Sequence, residues 1–176
     1  MLTRQTTQLL RCARFQNSFG FTLIELLVVI TISGILAAIS MPFFLNRANS
    51  AKQAEAKTYI GTLNRAQQAY ATEHAQFSNS TTALGVNIRE HNNYKYEIKL
   101  DGNGNSYVVH YADSQAAKLH AYVGMTAFVQ SSDGTPALCT ILCEADLPQE
   151  GRTISPVHNQ ASIDCAPGTQ DVTKNR

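Results

Sequence analysis

Few residues in this chain could carry chemistry, and the most unusual of them is the acid Glu25. It is the only ionisable residue between Phe21 and Leu45, in a run that is otherwise almost wholly apolar. A buried carboxylate is tolerable only if it meets a cation, because an unpaired buried charge costs several kcal/mol. The pattern therefore favours a charge-pairing role for Glu25 over a catalytic one.

The other reactive side chains do not form a recognisable catalytic or metal site. The five histidines are dispersed, without an H-E-x-x-H pair or a visible nucleophile partner, at positions 74, 91, 110, 120 and 158. A C-x3-C pair followed by one distant Cys lacks the matching histidines of a zinc site. We predict no enzyme, no cofactor and no metal, and the net charge of +1 gives no reason to expect a nucleic-acid site.

The cysteines are better interpreted as disulfide partners. Cys139 and Cys143 would be about 13 Å apart in one extended strand, beyond the roughly 7 Å limit for a bridge. Cys165 is then expected to pair with one of these two, which implies an oxidising compartment.

The element that carries Glu25 has the length and composition of a membrane-spanning helix. Residues 21–45 would form a helix of about 37 Å, enough to cross a hydrocarbon core of about 30 Å. The segment has fifteen Leu, Ile, Val or Phe residues. Each contributes about −0.3 to −0.6 kcal/mol to insertion, which outweighs one acid at about +3 kcal/mol. The sequence predicts a transmembrane and assembly helix over 21–45.

Residues 1–20 are predicted to be a leader peptide. They carry three arginines and no acid, as the basic region of a signal sequence does. The apolar run that follows is longer than a secretory signal core, and the small residue Gly20 precedes it. A cut there would leave the anchor on the mature protein. Basic residues flank both ends of the anchor, so the charge count does not decide its orientation.

Beyond the anchor, residues 46–77 are predicted to form an amphipathic helix. Its apolar stripe is Ala56, Tyr59, Leu63, Ala66, Tyr70 and Phe77. Its polar face is Lys57, Asn64, Arg65, Gln68 and Thr72. The stripe is expected to pack on a domain core.

Residues 78–176 are predicted to form a β-sheet head. Apolar residues alternate with charged ones over 94–100, and a second alternating run begins at Tyr107 after "DGNGN", which is typical of an antiparallel hairpin. "AYVGMTAFVQ" and "ALCTILCE" form a second pair across "SSDGTP". The expected fold class is α+β, with a long N-terminal helix packed on a four-stranded antiparallel sheet and an irregular, disulfide-held C-terminal tail.

The junction "GFTLIE" followed by an apolar helix resembles the processing and assembly motif of type IV pilins and the related type II secretion pseudopilins. The resemblance extends over residues 20–45 and includes Pro42. More loosely, "AEAKTYIGTLNRAQQAYATEHAQF", "AYVGMTAF" and the C-terminal cysteines resemble the type IV pilin-like G and H group, a cyanobacterial type of pilin.

The resemblance implies roles for individual residues. A membrane-embedded prepilin peptidase would cleave between Gly20 and Phe21 on the cytoplasmic side and methylate the new amine of Phe21. Glu25 would pair with that amine on an adjacent subunit and set the assembly register; the alternative is an acid that pairs only with its own amine. Pro42 would mark a helix kink, or simply the end of the membrane segment.

The resemblance also favours Cys143 as the partner of Cys165, which leaves Cys139 either buried or available to another subunit. It implies a structural subunit that polymerises into surface filaments, or fimbriae, for adhesion, twitching motility and DNA uptake. Its partners would be other pilin subunits, the prepilin peptidase, membrane lipid before assembly and an assembly platform in the inner membrane. The protein would span the inner membrane once and then move into an extracellular pilus.

Three other functions stay open at this point. The same anchor builds the short periplasmic filament of a type II secretion system, so a pseudopilin is one alternative. A minor pilin at the filament tip is a second. A membrane-anchored binding domain that never polymerises is a third.

Overall fold

The computed structural model describes residues 21–88, 92–101, 106–131, 133–159 and 161–173. The predicted leader lies outside these ranges. The chain divides into two compact units, the first ending at Pro42 and the second beginning at Phe43. One helix, α1, runs from Leu23 to His74, and Pro42 lies inside it.

The second unit contains an antiparallel sheet of five strands in the order β1-β2-β3-β4-β7. Its strands are β1 Tyr94–Leu100, β2 Tyr107–Ser114, β3 Tyr122–Gln130, β4 Pro136–Ala145 and β7 Thr169–Asp171. The short strands β5 Val157–His158 and β6 Ile163–Asp164 pair with each other beside this sheet. The α+β class and the four longer strands are confirmed.

The predicted strand count was one too low, because the tail supplies a fifth strand. β7 has three residues and pairs with the end of β4 from Cys143 to Ala145. So short a strand has no alternation of its own that periodicity could detect. It forms because the tail is brought to this end of β4, where its backbone can complete the ladder.

Within the second unit, helix α1 packs against one side of the sheet. Ala56, Ile60 and Leu63 of the helix form a core with Tyr94 and Tyr122 of the sheet, and all five are buried. The opposite side of the sheet holds a second core around Val109, Val123, Met125 and Cys143, against which Ile163 and Cys165 pack. Covered on both sides, β2 and β3 are almost continuously buried, while β1 keeps exposed Lys residues.

The buried stripe of α1 is rotated from its predicted position. The buried residues are Ala56, Ile60, Leu63, Asn64, Gln67 and Ala71. Tyr59 and Tyr70 are only half-buried, and Asn64, assigned to the polar face, is 5% exposed. That assignment was wrong because the sheet offers partners for a polar side chain, which helical periodicity does not reveal.

Candidate functional site

The first turn of α1 is closed by a reciprocal capping arrangement between Thr22 and Glu25. The backbone N–H and the hydroxyl of Thr22 both donate to Oε2 of Glu25, at 2.9 and 2.7 Å. The backbone N–H of Glu25 donates in return to the Thr22 hydroxyl at 3.3 Å. These bonds satisfy donors that a helix N-terminus otherwise leaves open, so this is a capping box.

The capping box gives Glu25 a local partner that the sequence interpretation missed. Its signal was readable, since Thr followed three residues later by Glu before an apolar run is the capping-box pattern. In the described part of the chain, both Thr22 bonds end on the same carboxylate oxygen. Oε1 can therefore accept further hydrogen bonds or a cation.

Phe21, the residue before the cap, is 74% exposed. Gly20 lies outside the residues that the structure describes. Cleavage between them and methylation of Phe21 stay predictions. Because the capping box begins at Thr22, it does not depend on residues that such a cleavage would remove.

The apolar surface that follows is solvent-exposed in the isolated chain. Large apolar residues from Phe21 to Leu45 are between 46% and 82% exposed. This stretch of α1 is long and apolar enough to cross a membrane and is not buried within the molecule. Burying such side chains is worth about 1.5–3 kcal/mol each, so the surface has a strong tendency to enter lipid or to contact other apolar helices.

Two hydroxyl groups in this segment are satisfied inside the helix. Thr31 donates to the carbonyl of Val28 at 2.8 Å, and Ser40 donates to the carbonyl of Ala37 at 3.3 Å. Their polarity therefore adds little to the cost of placing this surface in hydrocarbon. Pro42 removes one N–H from the same helix, and the bend proposed there stays a prediction.

The tail of the second unit is held by a disulfide between Cys143 of β4 and Cys165, whose Cα atoms are 5.8 Å apart. This is the pairing that the family resemblance favoured. Cys139 is free and half-buried, opposite Ala127 in the β3–β4 ladder.

A polar contact lies at the centre of the packing between α1 and the sheet. Asn64 donates from Nδ2 to the carbonyl of Ile141 at 3.0 Å, and its Oδ1 lies 3.0 Å from Nδ1 of His110. Since Oδ1 only accepts, His110 carries its proton on Nδ1. Burial lowers the pKa of His110 to about 3, so the ring is neutral at physiological pH.

Gly124 is the residue that allows this close approach. A Cβ placed there would lie 2.5 Å from Cγ2 of Ile60 and 2.7 Å from Oδ1 of Asn64. Only a residue without a side chain fits between β3 and the helix at this point.

The described residues thus combine an apolar N-terminal helix, with a capped acid in its first turn, and a unit in which the later part of the same helix packs on an antiparallel sheet. Residues 53–166 match the family model described as "Type IV pilin-like G and H", and residues 16–41 match the "Prokaryotic N-terminal methylation motif". The chain belongs to the type IV pilin-like G and H family.

Relatives of this chain include named pilus subunits. It is 39% identical over 90 residues to the type IV major pilin protein PilA of Myxococcus xanthus, covering 51% of this chain and 41% of that protein. It is 30% identical over 90 residues to the fimbrial protein EcpC of Eikenella corrodens, covering 51% and 59%. It is 35% identical over 69 residues to the type IV wide pilus major component PilA4 of Thermus thermophilus, covering 39% and 53%. The matches span about half the length of each relative.

Proposed function

We propose that this protein is a structural subunit of a type IV pilus that polymerises through its N-terminal helix. The observation that carries the proposal is the exposed apolar surface from Phe21 to Leu45 with one acid in its first turn. The methylation motif and the relatives named as major pilins support it. The protein acts as a structural element, without a catalytic role.

Processing would supply the partner of Glu25. Removal of the 1–20 leader by the membrane peptidase leaves an α-amine on Phe21 that is cationic at neutral pH, with or without one methyl group. In lipid, before assembly, the Thr22 hydrogen bonds reduce the cost of carrying the acid. On assembly, Oε1 of Glu25 would accept a hydrogen bond from the protonated Phe21 amine of a neighbouring subunit.

This charge pair would select one register among the packed helices. A neighbour displaced by one helical turn, about 5.4 Å, buries an unpaired acid and an unpaired amine. That arrangement costs several kcal/mol and would be rejected during polymerisation. Residues 21–45 would thus serve as anchor and then as the filament interior, residues 46–77 as the amphipathic helix packed on the head, and residues 78–176 as the β-sheet head outside.

The protein would span the inner membrane once, with its head outside, before extraction into the filament. Its partners would be further copies of itself, the prepilin peptidase, lipid and the assembly platform. Adhesion, twitching motility and DNA uptake would be activities of the assembled filament.

The test is filament assembly in a strain that lacks the chromosomal copy. Wild type should restore surface filaments visible by electron microscopy, whereas Glu25→Ala should insert in the membrane fraction and yield few sheared filaments. Glu73→Ala, which removes an exposed acid near the other end of α1, is the matched control and should assemble normally. A wild-type filament yield from Glu25→Ala would refute the register role. Normal pili with blocked enzyme secretion in the deletion strain would identify a pseudopilin instead.

A further inference from the structure

The face of the sheet opposite α1 is crossed by residues 151–158, here called the strap. At its start, Gly151 and Ser114 exchange backbone hydrogen bonds of 2.7 and 3.0 Å. At its end, Nε2 of His158 lies 3.3 Å from the carbonyl of Phe128. The strap is thus fixed at both ends.

Arg152 fastens the first part of the strap to the sheet. Its Nε donates to Oδ1 of Asp113 at 3.0 Å and its Nη2 to Oδ2 at 2.7 Å, and Nη2 also reaches Glu97. Its guanidinium carbon lies 4.2 Å from the ring centre of Tyr111. The hydroxyls of Tyr111 and Ser155 are hydrogen-bonded further along.

A cavity of about 260 Å³ lies beneath the strap. Its lining is Lys99, Leu100, Tyr107, Val109, Tyr111, Met125, Ser155, Pro156 and His158. The cavity is partly open to solvent. Its volume falls just below the range of roughly 300–1,000 Å³ that holds drug-sized ligands, so it suits one small molecule.

The lining combines apolar, aromatic and hydrogen-bonding groups. Val109 and Met125 are buried apolar residues, and the ring of Tyr107 lies 5.2 Å from that of His158. Lys99 is 51% exposed and supplies ammonium donors. Because the Phe128 carbonyl only accepts, Nε2 of His158 donates to it, and Nδ1 is left for a ligand. The hydroxyl of Ser155 can both donate and accept. Donors and acceptors therefore lie beside an aromatic wall.

The charged side chains of Arg152, Asp113, Glu97 and Lys99 pair with one another. Arg152 is matched by Asp113 and Glu97, and Lys99 lies 3.5 Å from Glu97. Two cations and two carboxylates so close together do not favour an ion of either sign. The chemistry favours a neutral ligand with one apolar side and several hydroxyl groups.

We infer that this cavity binds a single neutral sugar residue. The apolar face of the sugar ring would pack on Tyr107, and its hydroxyls would bond with Lys99, Ser155 and His158. The inference concerns the head alone, so a failure of the polymerisation proposal leaves it intact, and its own failure leaves that proposal intact.

The test is sugar binding by the full chain in micelles of a detergent without a sugar head group. Saturation-transfer NMR would be recorded with glucose, galactose, mannose and N-acetylglucosamine, and with benzoate and methyl phosphate as charged probes. At least one sugar should give a saturable signal. Lys99→Gln and Tyr107→Leu should each weaken its binding about threefold to tenfold, the effect of losing one contact.

Lys95→Gln is the matched control, because Lys95 is an exposed lysine of the same strand, four residues from Lys99, and is not part of the lining. It should bind as wild type does. Should Tyr107→Leu fail to fold, Lys99→Gln, at an exposed position, decides alone. The inference is overturned if no sugar saturates, if only the charged probes bind, or if Lys99→Gln binds sugar as tightly as Lys95→Gln.

Discussion

The contact between Gly124 and helix α1 makes a quantitative prediction for Gly124→Ala. The added methyl would lie 2.5 Å from Cγ2 of Ile60, whereas carbon atoms in contact are about 3.5–4.0 Å apart. The two elements must therefore separate by about 1 Å, or a side chain must leave its preferred conformation. Both responses destabilise the head.

The neighbours of Gly124 have little freedom to move away. Ile60 is branched at Cβ and strongly prefers one χ1 rotamer in a helix, so its Cγ2 cannot rotate aside. Asn64 is held by the Ile141 carbonyl and by His110. Overpacking typically costs 1–3 kcal/mol, and the two hydrogen bonds at risk are worth about 0.5–1.5 kcal/mol each. We expect Gly124→Ala to lower the free energy of unfolding by at least about 2 kcal/mol, the sum of the lower ends of these ranges.

Urea denaturation of the full chain in micelles, followed by near-UV tyrosine dichroism, measures this change. Gly61→Ala is the matched control, because a methyl there meets nothing within 4 Å and should stabilise the helix by about 0.5–1 kcal/mol. Ile60→Leu removes the branched methyl at nearly constant volume, so it should partly rescue Gly124→Ala. A Gly124→Ala protein within 0.5 kcal/mol of wild type, or equal losses at Gly61 and Gly124, would refute the reasoning.

Three further predictions concern the disulfide, the buried histidine and the helix cap. Replacing Cys143 and Cys165 by Ser should lower the free energy of unfolding by about 3 kcal/mol, because the disulfide closes a loop with a sequence separation of 22. Urea denaturation measures this loss of stability. Acidification from pH 6.5 towards 3 should destabilise the head by up to about 1.4 kcal/mol per pH unit. The reason is that His110 has a pKa of about 3 in the folded protein, so in this pH range it binds a proton only in the unfolded chain. His110→Gln should flatten this pH dependence. Thr22→Ala should destabilise the first turn of α1 by about 1 kcal/mol, because it removes the acceptor of the Glu25 backbone N–H. The measurement is hydrogen exchange of the Glu25 amide, which should become faster. Thr22→Ser keeps the hydroxyl and should restore the slow exchange.

Each of these has a contradicting result. If the cysteine variant is as stable as wild type, the disulfide does not stabilise the fold by lowering the conformational entropy of the unfolded chain. If the free energy of unfolding depends on pH equally in wild type and His110→Gln, groups other than His110 cause the acid sensitivity. Equal exchange at Glu25 in Thr22→Ala and wild type would show that the capping box does not hold the first turn.

Sequence patterns predicted the strands well wherever one face of the sheet is polar. Over β1, the exposed residues Lys95 and Lys99 alternate with Tyr94 and Ile98, which are buried or half-buried as expected. Spacing also limited the partner of Cys165 to two candidates. It could not choose between them, because the choice depends on which part of β4 the tail approaches.

The missed features depend on contacts between distant residues. Asn64 looks like a surface residue by helical period, but its partners His110 and Ile141 are 46 and 77 positions away. The strap is irregular and polar in sequence, and its attachment rests on Arg152 meeting Asp113, 39 positions earlier. The cap at Thr22 is different, since it is local and its pattern was present in the sequence.

The most direct test of the pilus account is the N-terminal mass of the protein purified from native cells. The account predicts a chain that begins at Phe21 and carries one methyl group on its α-amine. A chain that retains Met1, or an unmethylated chain that begins elsewhere, would contradict it.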